Sequence, residues 1–115
     1  MSDCIFCTIA SGAFGTEFYY EDENVVAFDD LHPQAPVHVL VVPKAHYDNI
    51  IDGVPAEVLA SMAAAVKAVA EKRGIAESGF RCIMNTGDDA GQTVHHLHMH
   101  VLGGAPLGEG LIAKA

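Results

Sequence analysis

An α+β domain, with an antiparallel sheet of about five strands and helices packed on one side, is the architecture that this 115-residue chain predicts. Three observations carry that prediction. A single segment, 55–73, is long enough and apolar at the right spacing to be a substantial helix. Several short β-branched or aromatic runs are bounded by Gly, Pro, Asn and Asp, as strands are. Two of those runs are separated by a four-residue turn, 21–24, which marks a hairpin. The length suits one domain, 1–115, able to bury roughly two-thirds of its unfolded surface.

Taken in order, Asp3 is the expected cap of a short N-terminal helix over 4–10, with Ile5, Phe6 and Ile9 as its apolar residues and Gly12 as its stop. Strands are expected over 18–20 and 25–28. The stretch 31–36 breaks regular structure, because Pro33 and Pro36 remove donors and fix the backbone. A buried strand follows over 37–42 and ends at Pro43; it carries His38, which on such a strand reads as a satisfied core residue. Pro55 opens the long helix and Gly74 closes it after Arg73, while Val58, Met62, Val66 and Val69 form a stripe that packs on the sheet. The next strand covers 80–85, with Cys82 in the core. A turn-rich loop over 86–93 leads into a histidine-rich run, and a tail follows Gly103-Gly104.

Composition narrows the function classes. Fifteen acidic residues against six Lys and Arg give a net charge of −9, which argues against nucleic acid and anionic membranes as partners. The longest apolar stretch, 54–70, contains Glu57 and Lys67 and is too broken to span a membrane, and no export signal opens the chain, so a cytoplasmic location is expected. Half of the residues are hydrophobic, 18% are charged and the mean hydropathy is +0.25, values that suit a buried subunit interface and hence a homo-oligomer. Three cysteines do not make a disulfide framework, but Cys4-x-x-Cys7 raises metal or redox chemistry. No Lys or Arg lies between Asn85 and Glu109, so a phosphate bound there must be held by histidines and backbone N–H groups. Such a site accommodates one phosphoryl group and is poorly equipped for a polyphosphate.

The chemistry concentrates in Val94-His95-His96-Leu97-His98-Met99-His100-Val101-Leu102. On an extended strand the two-residue spacing puts His96, His98 and His100 in a row on one face and turns Leu97, Met99 and Val101 into a core. Imidazole transfers protons, binds metals and attacks phosphorus near neutral pH, so the run alone leaves catalysis, a metal-binding strand and a solvated edge open.

Together with Gly91-Gln92-Thr93, this run resembles the signature of the histidine triad family, His-x-His-x-His followed by apolar residues. The resemblance extends to Ile5-Phe6, Phe28-Asp29-Asp30-Leu31-His32-Pro33-Gln34-Ala35-Pro36-Val37-His38, Val42-Pro43-Lys44 and Asn85-Thr86, so it spans nearly the whole chain. It implies the fold of that family and hydrolysis or transfer of nucleoside monophosphates through a nucleotidylated histidine, the middle one of the triad, here His98. By the same resemblance His96, His100 and His38 orient the triad or contact phosphate, and Thr93 offers a hydroxyl near the leaving group. Asn85, Gly91, Gln92 and the Val94 backbone match phosphate contacts. Asp30 matches the carboxylate that takes the ribose hydroxyls, and Ile5, Phe6, Ile9, Phe14, Phe28, Leu31 and Leu40 match the apolar walls around the base.

Within the family, Val101-Leu102-Gly103-Gly104 looks like the purine nucleoside phosphoramidases, which cleave the P–N bond of adenosine or guanosine 5′-phosphoramidates and are homodimers sharing a continuous sheet. The tail 105–115 lacks the tryptophan that some members carry, which leaves the leaving amine open. Catalysis by this route requires no cofactor. Many bacterial relatives pair an N-terminal Cys-x-x-Cys with a histidine after Pro-Lys and with the first triad histidine. The resemblance therefore implies a structural zinc on Cys4, Cys7, His46 and His96. Competing readings are a dinucleoside polyphosphate hydrolase, a nucleotide- or zinc-binding interaction protein without turnover, and a metal-storage or copper-handling strand.

Overall fold

The computed structural model describes residues 4–109. Its elements are a short helix α1 (Ile5–Ala10), strands β1 (Tyr20–Glu21), β2 (Val25–Asp29) and β3 (Val37–Pro43), the long helix α2 (Ala56–Lys72), strand β4 (Phe80–Ile83), a 3-10 turn at Asp88–Ala90 and strand β5 (Met99–Gly103). The five strands form one sheet in the order β1-β2-β3-β5-β4, and every neighbouring pair is antiparallel. The expected α+β class and strand number are therefore found.

The expectation that the helices share one side of the sheet is wrong. Val25, Ala27, Val37, Val39 and Val41 face α2 and form a core with Val58, Met62, Ala65 and Val69. The alternate residues Val26, Phe28, Leu40 and Val42 point the other way and pack with Phe6 and Ala10 of α1. The reason is visible in β2 and β3, which are mostly apolar and show no alternation of buried and exposed positions: a strand of that kind must be covered on both faces. His38, Leu40 and His100 lie on the α1 face, Leu40 being directly paired with His100.

Boundaries moved for local reasons. The Asp22 side chain accepts from the Asn24 and Val25 amides, at 2.8 and 3.0 Å, and this turn makes the expected hairpin, but only Tyr20 and Glu21 of its first strand enter the ladder. Asp3 lies outside the described residues; the N-cap of α1 is Cys4, whose Sγ accepts from the Cys7 amide at 3.3 Å. Pro55 sits at the N-cap of α2, and Gly74 follows its end with φ +71°, where a side chain would be strained. Cys82 is exposed rather than in the core, because β4 is an edge strand with no helix over that side chain. Among the described residues no helix is long and apolar enough to cross a membrane.

Candidate active site

The histidine run is not one continuous strand. The ladder begins at Met99, and His96 to His98 approach it without strand pairing. Leu97, Met99 and Val101 do turn into the α2 core. On the other side the three imidazoles divide: His98 and His100 face one cavity, while His96 turns toward the N-terminal cysteines.

The nucleophile expected from the family pattern is oriented by its own backbone. The His98 Nδ1 lies 2.7 Å from the His96 carbonyl, which can only accept, so the ring proton sits on Nδ1 and Nε2 keeps a free lone pair. Burial holds His98 below its ordinary pKa, against the opposing effects of that hydrogen bond and of the Asp30 charge, so the unprotonated ring is favoured. The Phe6 ring stands edge-on to His98 at 4.9 Å between centroids and closes its apolar side.

A hydrogen-bonded pair of rings stands beside it. The Gln34 amide donates to His38 Nδ1 at 2.9 Å, so a neutral His38 ring carries its proton on Nε2. That nitrogen is 2.9 Å from His100 Nδ1 and 3.3 Å from the Asp30 carboxylate. His100 Nδ1 then accepts, and its remaining proton is on Nε2. Burial, with the neighbouring His98 and His38, pushes the His100 pKa down to about 4, so the ring donates a hydrogen bond without carrying charge. Although Asp30, His38 and His100 cluster closely enough for a metal, the Gln34 amide occupies the nitrogen that would have to be protonated once a metal took Nε2. The trio is better suited to passing and holding protons.

A cavity of about 530 Å³ opens in front of His98 and His100. Ile5, Phe6, Ile9, Phe14, Phe28, Leu31 and Leu40 form its walls, with Asp30, Thr93 and Val94 also on the lining, so the residues expected around a nucleoside do come together. Thr16, Asp29 and His32 line it as well and were not assigned from sequence. His32 had a signal, since its amide donates to Asp30 Oδ1 at 2.8 Å from two positions along; Thr16 lies in irregular chain and had none. Leu31 is 86% and Phe14 59% exposed, making an apolar collar at the mouth.

Three residues expected at the phosphate are not on the lining of this cavity. Asn85 lines a separate cavity behind the His38–His100 pair. Gln92 is buried, and its amide is consumed by the Gly87 N–H (2.9 Å) and by the carbonyls of Asp48 (2.7 Å) and Val94 (3.1 Å). Its side chain ties the 86–94 loop to the loop that follows β3. Gly91 adopts φ +81° with open space where a Cβ would stand, so its conformation by itself calls for glycine.

The remaining histidines converge on the cysteines. One donor atom from each of Cys4, Cys7, His46 and His96 lies within 4.8 Å of the others. His96 Nε2 donates to the Pro43 carbonyl at 2.8 Å, leaving Nδ1 unprotonated at 3.2 and 3.4 Å from the two sulfurs. His46 repeats the arrangement, with Nε2 donating to the Asp48 carboxylate at 3.1 Å and Nδ1 3.4 Å from Cys7 Sγ. Both lone pairs thus point inward, and each ring is fixed by an outer acceptor, the arrangement that metal-ligating histidines use. Burial and the neighbouring Cys4 hold the Cys7 thiol above its ordinary pKa, an effect that a cation at this point reverses.

The match to known proteins agrees with this geometry. Residues 13–107 match the HIT domain family, and the chain belongs to that family. Among its relatives, the purine nucleoside phosphoramidase of Escherichia coli (strain K12) is 43% identical, over 97% of this chain and 96% of its own. Protein HitA of Neisseria gonorrhoeae is 39% identical, over 90% and 97% respectively. A solved HIT family hydrolase from Clostridium thermocellum superposes with a TM-score of 0.90 at 46% identity, covering 97% of this chain and 99% of its own. A histidine triad protein from Clostridium difficile superposes at 0.88 with 44% identity, covering 96% and 98%.

Proposed function

We propose that this protein is a hydrolase that cleaves the P–N bond of purine nucleoside 5′-phosphoramidates, with His98 as nucleophile. The observation that carries the reading is the His98 ring itself: its proton is committed to a carbonyl and the ring lines a cavity with apolar walls, two carboxylates and no Lys or Arg. Nε2 attacks phosphorus and the P–N bond breaks; the amine leaves with a proton passed through the Thr93 hydroxyl, which the water of the second step returns, and a nucleotidyl-histidine remains. Water then attacks that phosphorus, releasing the nucleoside monophosphate and restoring the ring. His100 Nε2–H donates to a phosphoryl oxygen, held in register by His38 and the Gln34 amide. Thr93 offers its hydroxyl to the leaving nitrogen, Asp30 takes the ribose hydroxyls, and Phe6, Phe14 and Phe28 cover the purine. The relative from Escherichia coli bears the same activity in its name.

Cys4, Cys7, His46 and His96 would hold one zinc ion per subunit, a structural ion because four protein ligands leave no open position. The protein acts as a homodimer in the cytoplasm. Edge strand β4 supports the first reading, with Phe80 and Met84 exposed along or beside it, and three free cysteines support the second. The test is amine release from adenosine 5′-phosphoramidate by the parent protein and by His98→Asn, with diadenosine polyphosphates in parallel. Turnover of the phosphoramidate by the parent, lost in His98→Asn while adenosine monophosphate still binds, is expected. Activity confined to the polyphosphates overturns the substrate assignment, and binding without turnover of either overturns the enzymatic one.

A further inference from the structure

Helix α1 serves two sites at once. Its N-terminal turn carries Cys4 and Cys7, and the same six-residue helix supplies Ile5, Phe6 and Ile9 to the nucleoside cavity. Apart from the packing of Phe6 and Ala10, with Ile9 partly buried beside them, little else holds it. Only Phe6 and Ala10 are buried, its first turn has no acidic residue and its last no basic one, and a helix far shorter than about 12 residues does not persist alone. The other two members of the donor cluster come from elsewhere in the chain: His46 from the segment after β3 and His96 from the approach to β5. Phe6, lying between the cysteines, packs against His96 at 6.0 Å and His98 at 4.9 Å.

We propose that Cys4, Cys7 and His46 are positioning residues for nucleoside binding: by sharing one metal ion with His96 they clamp α1 against the sheet, and with it the wall that covers the base. This rests on the metal and nucleotide readings above. Without the ion, α1 is docked only part of the time, and the affinity for any ligand that uses the wall falls by the docked fraction. A ligand that has the phosphate and sugar but no base does not depend on the wall.

The experiment compares zinc-loaded protein, the same protein after chelation, and His46→Ala, with zinc content measured in each. His46 is exposed and lies outside the cavity lining, so its loss removes a ligand without touching the pocket. Binding of adenosine monophosphate and of ribose 5-phosphate is measured calorimetrically and by competition. Chelation and His46→Ala are expected to weaken adenosine monophosphate at least about tenfold, with ribose 5-phosphate changed less than about twofold and zinc re-addition restoring the chelated protein. Faster amide exchange over α1, with α2 still protected, should accompany the loss. Zinc present but adenosine monophosphate affinity indifferent to its removal overturns the coupling and leaves the metal reading standing. Equal weakening of both ligands shows general loosening and also overturns it. Protein that holds no zinc overturns it together with the metal reading, and loaded protein that does not bind adenosine monophosphate overturns it together with the nucleotide reading.

Discussion

Acid should destabilise this protein through His100, and replacing that one side chain should remove a defined share of the loss. His100 is pushed from 6.5 to about 4 in the folded chain by burial and by the neighbouring His98 and His38, while the unfolded chain keeps the ordinary value. Between those values the unfolded state binds a proton that the folded state refuses, so the stabilisation is complete above pH 6.5 and is lost as the pH falls toward 4. At pH 4.5 such a shift corresponds to about 3 kcal/mol, reduced to about 2 kcal/mol once solvent screening of a half-buried ring is allowed for. His100→Gln keeps an amide able to meet His38 and cannot titrate. His96 and His98, also lowered by burial, contribute in the same direction in both proteins and drop out of the comparison. The chain has no tryptophan, so urea unfolding is followed by far-ultraviolet circular dichroism at pH 7 and pH 4.5. The parent midpoint should fall further than that of His100→Gln by on the order of 1 M urea. Equal falls in the two proteins would refute the reasoning, because His100 would then gain its proton equally in both states.

Activity should follow His98 with the opposite emphasis: since its pKa is lowered from 6.5, the acid limb of kcat/KM for a phosphoramidate should have its midpoint below 6.5, and a midpoint above 6.5 contradicts the burial argument. Gln92→Leu strips three hydrogen bonds from a buried amide and leaves the Gly87 N–H and two carbonyls without it, so a loss of about 2 kcal/mol in chemical denaturation is expected, with a raised KM as the 86–94 loop loosens. Met62→Ala empties a fully buried position between α2 and the sheet and should cost about 3 kcal/mol, read as a lower thermal midpoint with turnover retained in the cold.

The parts of the fold that were legible are those set by local chemistry. Pro55 and Gly74 bracket α2, and Asp22 makes the hairpin turn, because caps and turns are decided within a few residues. The side of the sheet on which α1 lies was not legible from its own six residues; the signal stood in β2 and β3, whose apolar residues fall at both odd and even positions and demand cover on both faces. The histidine spacing foretold that Leu97, Met99 and Val101 would enter the core, but it gave no hint that His96 turns toward Cys4 and Cys7, because that depends on the Pro43 carbonyl, 53 positions away in the chain. The structural part that Gln92 plays was hidden for a related reason: the family pattern marks the position, but its side-chain partners, among them the Asp48 carbonyl, are far away in the chain.

The four histidines that matter have their protons placed largely by groups that do not titrate. The His96 carbonyl fixes His98, the Pro43 carbonyl fixes His96, and the Gln34 amide fixes His38 and, through it, His100. A backbone group keeps its direction at every pH, so each ring presents the same face to its task while burial keeps His96, His98 and His100 in the unprotonated form. Under the proposed function, this is how one phosphoryl group would be held in a chain of net charge −9 with no Lys or Arg in the cavity wall. If the proposed function holds, it also bounds the substrates: directed N–H donors suit a single phosphoryl group with its charge spread over a few oxygens, whereas a polyphosphate would bring several full charges to a wall without Lys or Arg.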